Sequence, residues 1–279
     1  MATPQEEIKR KLQGVIDIAY EQYKRDLPRY RLAKEIMSKD VVTITPEASL
    51  NKAAEIMGQK HIGSLIVEKY HTPVGIVTER DLLSKVIAYG LLLGDEKVEN
   101  VMSYPLVTVS LTAKIKEVAQ LMTSKKGRLA VFDAGMLVGI ITASDLIKSL
   151  PDVPETEVKV DDFMTKDLVT AEETTPVISI ARIMGKQRIG SVIITRKGEP
   201  FGIFTERDLL TTFLATGRDL YTEVEPACSR PLITIPSGTS VHRAAATMAL
   251  KHIRRLPVVR DDKLVGIITA RDLVEAYAK

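Results

Sequence analysis

Four threonine–aspartate pairs, with two residues between the partners, are the side chains of this sequence best suited to binding chemistry. The pairs are Thr78 and Asp81, Thr142 and Asp145, Thr205 and Asp208, and Thr269 and Asp272. A carboxylate only accepts hydrogen bonds, so it can take both hydroxyl protons of a ribose. If a helix begins at the threonine, its N-terminus adds backbone donors and positive potential for a phosphate. The pattern therefore favours nucleotide binding at one or more pairs.

A helix cap explains the same pattern without a ligand. Threonine at the N-cap and an acid three residues later satisfy backbone amides at the start of a helix. A cap alone does not require aspartate in all four copies. We therefore interpret each pair as a cap whose aspartate is also suited to a ribose.

Each pair ends a short apolar run that begins with glycine, and these glycines recur at a steady interval. They are Gly75, Gly139, Gly202 and Gly266, which lie 64, 63 and 64 residues apart. A period this regular indicates four copies of one structural unit. The flanking residues predict the order strand, helix, strand, strand, helix for each copy. In the first copy, for example, Val41–Ile44 and the β-branched run Ile62–Val67 are typical of strands, and Ser49 opens a helix.

The repeats alternate in sequence, which indicates that an older pair was duplicated whole. Repeats one and three share Thr-Glu-Arg-Asp-Leu-Leu, whereas repeats two and four share Leu-Val-Gly-Ile-Ile-Thr-Ala. We predict a helical extension at 1–33, repeats at 34–90, 98–150, 160–215 and 225–279, and paired modules at 34–150 and 160–279. The linker is expected at Leu150–Lys159. An amphipathic helix over 5–26 is expected to pack on its own domain or on a second subunit, as a homodimer.

With four copies in register, the sequence resembles CBS domains, and each pair of copies resembles a Bateman module. The arrangement is similar to that of archaeal four-CBS proteins and of the gamma subunit of AMP-activated protein kinase. This resemblance implies an α+β fold in which two modules form a disc, with the N-terminal helix added. It also implies that each motif aspartate binds the ribose hydroxyls and that its threonine assists.

The resemblance further assigns phosphate and adenine contacts. Basic residues next to the aspartates or before the middle strands would reach phosphates: Arg80, Arg207, Arg271, His61, Lys126, Arg128, Arg188, Arg254 and Arg255. The planar fork of arginine suits a phosphate because it donates two hydrogen bonds together. An adenine slot would lie beside Val42, Thr43, Val107, Thr108, Val169, Thr170, Ile233 and Thr234. Repeat two carries Ser144 where the others carry arginine, so its site is expected to suit phosphate least.

The sequence holds no pattern typical of catalysis. None of the four histidines forms an HExxH pattern or pairs with a cysteine at metal-ligand spacing, and there is no phosphate loop. We therefore expect no enzyme activity, no metal and no cofactor. Cys228, the single cysteine, replaces a methionine of the other repeats, so we expect it in the core.

Composition sets the remaining expectations. The net charge of +3 gives little support for nucleic acid or a membrane surface as a partner. The sequence shows neither a signal-peptide pattern nor an apolar run of about 18 residues, the length that a membrane span needs. A single cysteine suits a reducing compartment, so we expect a cytoplasmic protein.

These observations predict a regulatory sensor of AMP, ADP or ATP that passes its state to an effector protein, as in energy sensing. Three alternatives stay open: a scaffold or assembly protein with vestigial sites, a binder of S-adenosylmethionine or a related nucleoside, and a nucleic-acid regulator, which the modest charge disfavours.

Overall fold

The computed structural model describes residues 32–125, 127–149 and 157–279. The predicted N-terminal helix over 5–26, Lys126 and most of the predicted linker Leu150–Lys159 lie outside the described residues. The chain divides into two compact units, each of which holds two repeats. We call Asp40–Leu106 with Leu168–Ile233 the odd-repeat unit, because it holds repeats one and three. We call Met1–Lys39, Val107–Asp167 and Thr234–Lys279 the even-repeat unit. The pairing of repeats into modules 34–150 and 160–279 stays a prediction.

The first two repeats have the predicted order of elements. The chain begins with α1 (Ala33–Ile36), β1 (Thr43–Ile44), α2 (Leu50–Gln59), β2 (Ser64–Lys69), β3 (Thr72–Thr78) and α3 (Glu79–Lys85), which a 3-10 turn follows at Ile87–Tyr89. Repeat two contributes α4 (Val98–Val101), β4 (Thr108–Ser110), α5 (Ile115–Lys125), β5 (Leu129–Asp133), β6 (Met136–Ile141) and α6 (Ala143–Ile147). The first strand is shorter than predicted, because its ladder with β2 begins only at Thr43.

The last two repeats follow the same order. After a 3-10 turn at Val160–Asp162, repeat three contributes β7 (Thr170–Glu172), α7 (Val177–Gln187), β8 (Ser191–Arg196), β9 (Glu199–Thr205), α8 (Glu206–Leu209) and a π-helical turn at Leu210–Leu214. After a 3-10 turn at Glu225–Ala227, repeat four contributes β10 (Ile235–Pro236), α9 (Val241–Lys251), β11 (Arg255–Arg260), β12 (Lys263–Thr269) and α10 (Ala270–Ala278).

Each repeat builds one three-stranded sheet. The first strand runs parallel to the second, and the second pairs antiparallel with the third. In repeat one, for example, Thr43 lies opposite Ile66, and Ser64 lies opposite Thr78. The second–third strand hairpin therefore ends at the motif threonine, where the following helix begins. The sheet places the motif at one end of the repeat.

In each repeat, the amphipathic helix that follows the first strand packs its apolar face into the core. These helices are α2, α5, α7 and α9. Met57, Met122, Met184 and Met248 are all buried on these helices, where they fill the core. In the odd-repeat unit the helices approach especially closely at two glycines. A Cβ added to Gly185 would lie 2.5 Å from the Cβ of Ala88, and one added to Gly58 would lie 2.4 Å from the Cβ of Ala215.

The segment that leads into each repeat packs on the sheet of its sequence neighbour. In the even-repeat unit, Ser38 pairs with Ile140, and in the odd-repeat unit, Ser103 pairs with Ile76. Thr165 with Ile267 and Ser229 with Ile203 repeat this arrangement in the second half of the chain. We call these four stretches the exchanged lead-ins. They add a further edge contact to each sheet.

The exchanged lead-ins explain the periodic glycines. A Cβ added to Gly139 would lie 2.6 Å from Sδ of Met37 and 3.1 Å from the carbonyl oxygen of Ser38, so glycine gives the lead-in the space that a side chain would take. Met102, Cys228 and Met164 cover Gly75, Gly202 and Gly266 in the same way. Cys228 is buried there, and burial raises the pKa of its thiol, which confirms that it belongs to the core.

Across the described ranges, none of the helices combines the length and the hydrophobicity that a membrane crossing requires.

Candidate functional site

All four threonine–aspartate pairs form capping boxes at the start of a helix, as predicted. Oδ2 of Asp81 accepts from the amide of Thr78 at 2.9 Å and from its hydroxyl at 2.6 Å. The other three aspartates accept the same two bonds at 2.7 to 2.9 Å. One carboxylate oxygen of every motif is therefore committed to the cap. The oxygen left for a ligand is Oδ1.

The two motif aspartates of the first half of the chain both have a lysine beside Oδ1. Nζ of Lys85 lies 2.8 Å from Oδ1 of Asp81 and also donates to the carbonyl of Val101. In repeat two, Nζ of Lys148 lies 3.9 Å from Oδ1 of Asp145. Lys85 thus forms a close ion pair with Asp81, whereas the distance between Lys148 and Asp145 is near the upper limit for an ion pair.

The two aspartates of the second half have different contacts at Oδ1. The hydroxyl of Ser229 donates to Oδ1 of Asp208 over a long 3.3 Å. Within the part of the chain that the structure describes, no hydrogen bond or ion pair reaches Oδ1 of Asp272. Burial raises the pKa of Asp272, the hydrogen bonds from Thr269 partly offset this, and the negative charge of Glu275 adds to the rise. Repeat four therefore offers the most available acceptor.

The arginines next to the motif aspartates in the odd-repeat unit contact glutamates of the opposite repeat. Nε of Arg80 donates to Oε1 of Glu206 at 2.7 Å, and Nε of Arg207 lies 3.5 Å from Oε2 of Glu79. Both glutamates are buried. Burial lowers the pKa of Arg80, but the charge of Glu206 and its hydrogen bond outweigh this, so the pKa is raised.

Sequence reasoning missed these glutamates and Lys85. A signal for the glutamates was present, because the shared Thr-Glu-Arg-Asp places a glutamate in both repeats of the odd-repeat unit, while Ala143 and Ala270 stand there in the others. The signal for Lys85 was its spacing of four residues from Asp81, which places both side chains on one helix face.

The remaining basic residues are distributed over both units. His61 and Arg188 are exposed in the odd-repeat unit, each in a left-handed backbone conformation just after a first helix. The even-repeat unit holds Arg128, Arg254, Arg255 and Arg271, of which Arg271 is exposed and the others are half-buried. Lys126 lies outside the described residues. A phosphate role for any of them stays a prediction.

The residues of the predicted adenine slots lie where the first strand joins the second. The carbonyls of Val42, Val107 and Val169 accept from amides of the second strand at 2.9 to 3.1 Å. The threonines that follow, Thr43, Thr108 and Thr170, are exposed and begin β1, β4 and β7. Ile233 and Thr234 are half-buried just before β10. Their contact with an adenine stays a prediction.

The fold and these four motifs match a known family. The model of the CBS domain matches residues 33–88, 98–152, 160–215 and 223–279. This chain belongs to the CBS-domain family. The four matches confirm the resemblance and the α+β fold of four CBS repeats.

Archaeal CBS proteins are similar to this one along most of its length. MJ1404 of Methanocaldococcus jannaschii is 29% identical over 268 residues, which cover 88% of this chain and 61% of that protein. MJ1225 of the same organism is 26% identical over 278 residues, which cover 89% of this chain and 99% of the relative. This CBS protein thus spans the whole of one relative and less than two thirds of the other.

Two solved structures share the fold over nearly the whole chain. The crystal structure of MJ1225, for which archaeal homology to g-AMPK has been proposed, superposes with a TM-score of 0.74 at 23% identity and covers 88% of this chain and 100% of that one. A conserved protein of Pyrococcus horikoshii gives a TM-score of 0.61 at 23% identity and covers 89% of this chain and 100% of the other. At this identity the likeness shows the fold alone.

Proposed function

We propose that this CBS protein is a regulatory sensor that binds AMP, ADP or ATP and passes its state to an effector protein. CBS-domain proteins are generally regulatory, and homology to g-AMPK has been proposed for the relative MJ1225. The observation that carries the proposal is the motif of repeat four. Its aspartate caps a helix of nine residues with Oδ2, while Oδ1 accepts no bond within the described ranges.

The geometry of this motif suits a ribose with a phosphate. The open oxygen of Asp272 accepts diol protons, and the exposed Arg271 precedes it on the same helix terminus. A helix N-terminus favours a nearby anion. Repeat four is therefore the site where we expect nucleotide first, ahead of the lysine-paired Asp145 and Asp81.

Regulation follows from differential binding. A ligand shifts a conformational equilibrium only by as much as it prefers one of the two states. Nucleotide at repeat four therefore changes the surface that an effector recognises only if the two conformational states bind the nucleotide with different affinities.

Calorimetry with matched variants tests this function. We expect AMP to bind the full chain with micromolar affinity, about −8 kcal/mol. Asp272→Asn should weaken AMP at least tenfold, about 1.4 kcal/mol, because the diol loses its charged acceptor. Asp81→Asn is the matched control and should leave the strongest site unchanged, since Lys85 already holds that carboxylate.

The sugar itself provides the second control. Deoxyadenosine monophosphate lacks the 2′-hydroxyl, so it should bind the wild type more weakly than AMP does. The Asp272→Asn variant should bind the two nucleotides with equal affinity. S-adenosylmethionine added in competition distinguishes the nucleoside alternative. If no adenosine ligand gives heat or a melting shift at millimolar concentration, the scaffold alternative replaces the sensor.

A further inference from the structure

A cavity of about 590 Å³ lies within the odd-repeat unit, and its lining includes no motif threonine or aspartate. Helix α3 and the turn after it form one wall, with Lys85 and Tyr89, and α4 contributes Asn100. The end of α7 forms the facing wall, with Lys186 and Arg188. The volume falls in the range of about 300–1,000 Å³ that is usual for small-molecule sites.

The charge of this cavity is positive. Lys85 is neutralised by Asp81, whereas Lys186 and Arg188 form no ion pair with any carboxylate in the described part of the chain. The acid on the lining is Glu96, whose Oε2 accepts from Nδ2 of Asn100 at 2.9 Å. The carbonyls at a helix C-terminus favour cations there. A ligand anion between the two walls would meet both uncompensated cations.

The apolar part of the lining is exposed to solvent. The ring of Tyr89 is 74% exposed and Leu91 is 46% exposed, and both border the cavity. Large apolar side chains at the rim of a cationic cavity suit a ligand that carries a ring or an alkyl group beside its charge. The lining therefore combines cationic and apolar groups.

The other side of the same unit provides an internal comparison. Gly185 against Ala88 and Gly58 against Ala215 are equivalent close contacts, so they fix which residues correspond. On the other side, Gln59 and His61 occupy the positions that correspond to Lys186 and Arg188. Thr212 and Thr216 occupy those that correspond to Lys85 and Tyr89. Packing alone would treat both sides alike, yet at these four positions the two uncompensated cations and the aromatic ring occur on one side.

We infer that this cavity is a second ligand site, which takes a small phosphomonoester or similar dianion with an aromatic or alkyl group. Lys186 and Arg188 bind the anion, Asn100 donates a further hydrogen bond, and Tyr89 contacts the apolar group. The proposed ribose site of repeat four belongs to the even-repeat unit, so this site does not depend on it.

Titration calorimetry of the full chain with phenyl phosphate tests this site. We expect saturable binding of one equivalent in wild type and no heat with phenol, which lacks the charge. The double variant Lys186→Gln/Arg188→Asn should weaken phenyl phosphate at least tenfold. Asparagine is chosen because it tolerates the left-handed backbone of residue 188, where φ is 57°. Both side chains are exposed, and an unchanged melting temperature confirms the fold.

Three controls decide between the site and general attraction. Lys60→Gln/His61→Gln removes charge from the corresponding side and should leave phenyl phosphate binding unchanged. Asp208→Asn should also leave it unchanged, because Asp208 belongs to a motif. Tyr89→Ala should weaken phenyl phosphate but not inorganic phosphate.

Several results would overturn the inference. These are no saturable binding at millimolar phenyl phosphate, equal loss in the two double variants, or loss in Asp208→Asn. AMP is itself an aromatic phosphomonoester, so AMP binding is measured separately on the Lys186→Gln/Arg188→Asn variant, which lacks this site. A chain that binds phenyl phosphate but not AMP keeps this site and loses the sensor, and the converse result keeps the sensor and loses this site.

Discussion

The odd-repeat and even-repeat units use the same motif in different ways. In the odd-repeat unit, Arg80 and Arg207 reach across to Glu206 and Glu79, so the two motif helices bind each other through buried acids. In the even-repeat unit, alanines occupy the positions of both glutamates. The capping box is common to both units, while the residues between threonine and aspartate decide whether the helix start also forms this contact.

The helix contact gives the largest expected difference between the units. Gly185→Val should lower the free energy of unfolding by about 3 kcal/mol, because overpacking of this kind typically costs about 1–3 kcal/mol. A Cβ at residue 185 would also lie 2.9 Å from the carbonyl oxygen of Leu83, which is backbone and cannot swing away. Ala249 is the equivalent residue of repeat four, and Ala249→Val should cost clearly less. Urea denaturation measures the free energy of unfolding of both variants. Equal losses would show that the helix contact at Gly185 is no tighter than the one at Ala249.

The crossed ion pair gives the next effect. Arg80→Met should destabilise the protein by about 1.5–3 kcal/mol, the value of a hydrogen bond to a charged group, because buried Glu206 loses the donor at 2.7 Å. Arg271→Met is the matched change in the even-repeat unit and should stay within about 0.5 kcal/mol, as expected at an exposed position. Thermal melting compares them. A larger shift for Arg271→Met would contradict this assignment of roles.

Release of Asp81 should make the odd-repeat unit resemble the even one. Lys85→Met frees Oδ1 of Asp81, so the number of AMP molecules bound per chain at saturation should rise. The stability cost should be small, about 0.5–1 kcal/mol, because Lys85 is partly exposed. Lys148→Met is the control. It removes an ion pair of only 3.9 Å, so the number of AMP molecules bound should change less. An unchanged stoichiometry in Lys85→Met means that the lysine does not block the motif.

The smallest expected effect is the pH dependence that Asp272 adds in the even-repeat unit. Burial raises the pKa of Asp272 above its unfolded value. The stabilisation from its protonated form is fully present below the unfolded pKa and is lost as pH rises through the folded pKa. Asp272→Asn should therefore gain stability relative to wild type as pH rises from about 3 to 6. Melting temperatures across this range measure the gain, and parallel curves would argue against the raised pKa.

Local rules account for the part of the structure that the sequence predicted. The strand–helix–strand–strand–helix order and the capping boxes depend on periodicity and on residues three apart, and both are confirmed. The pairing of Arg80 with Glu206 joins residues 126 positions apart, and no local rule reaches that far. The sequence ranked repeat two as least suited to phosphate from Ser144 alone, and that ranking stays a prediction. It relied on Arg80 and Arg207, whose guanidinium groups the fold directs to acids.

The exchanged lead-ins decide how this chain can be divided. A repeat cut out at its own boundaries would carry a lead-in that fits its neighbour's sheet, and its own glycine would be left uncovered. The smallest fragment that keeps both glycines covered spans two consecutive repeats, for example 32–149. Duplication and recombination of such proteins should therefore preserve pairs, and the alternating sequence signatures along the chain fit that history. A single repeat that is transferred to another protein must therefore be accompanied by the lead-in of its neighbouring repeat, which covers its glycine.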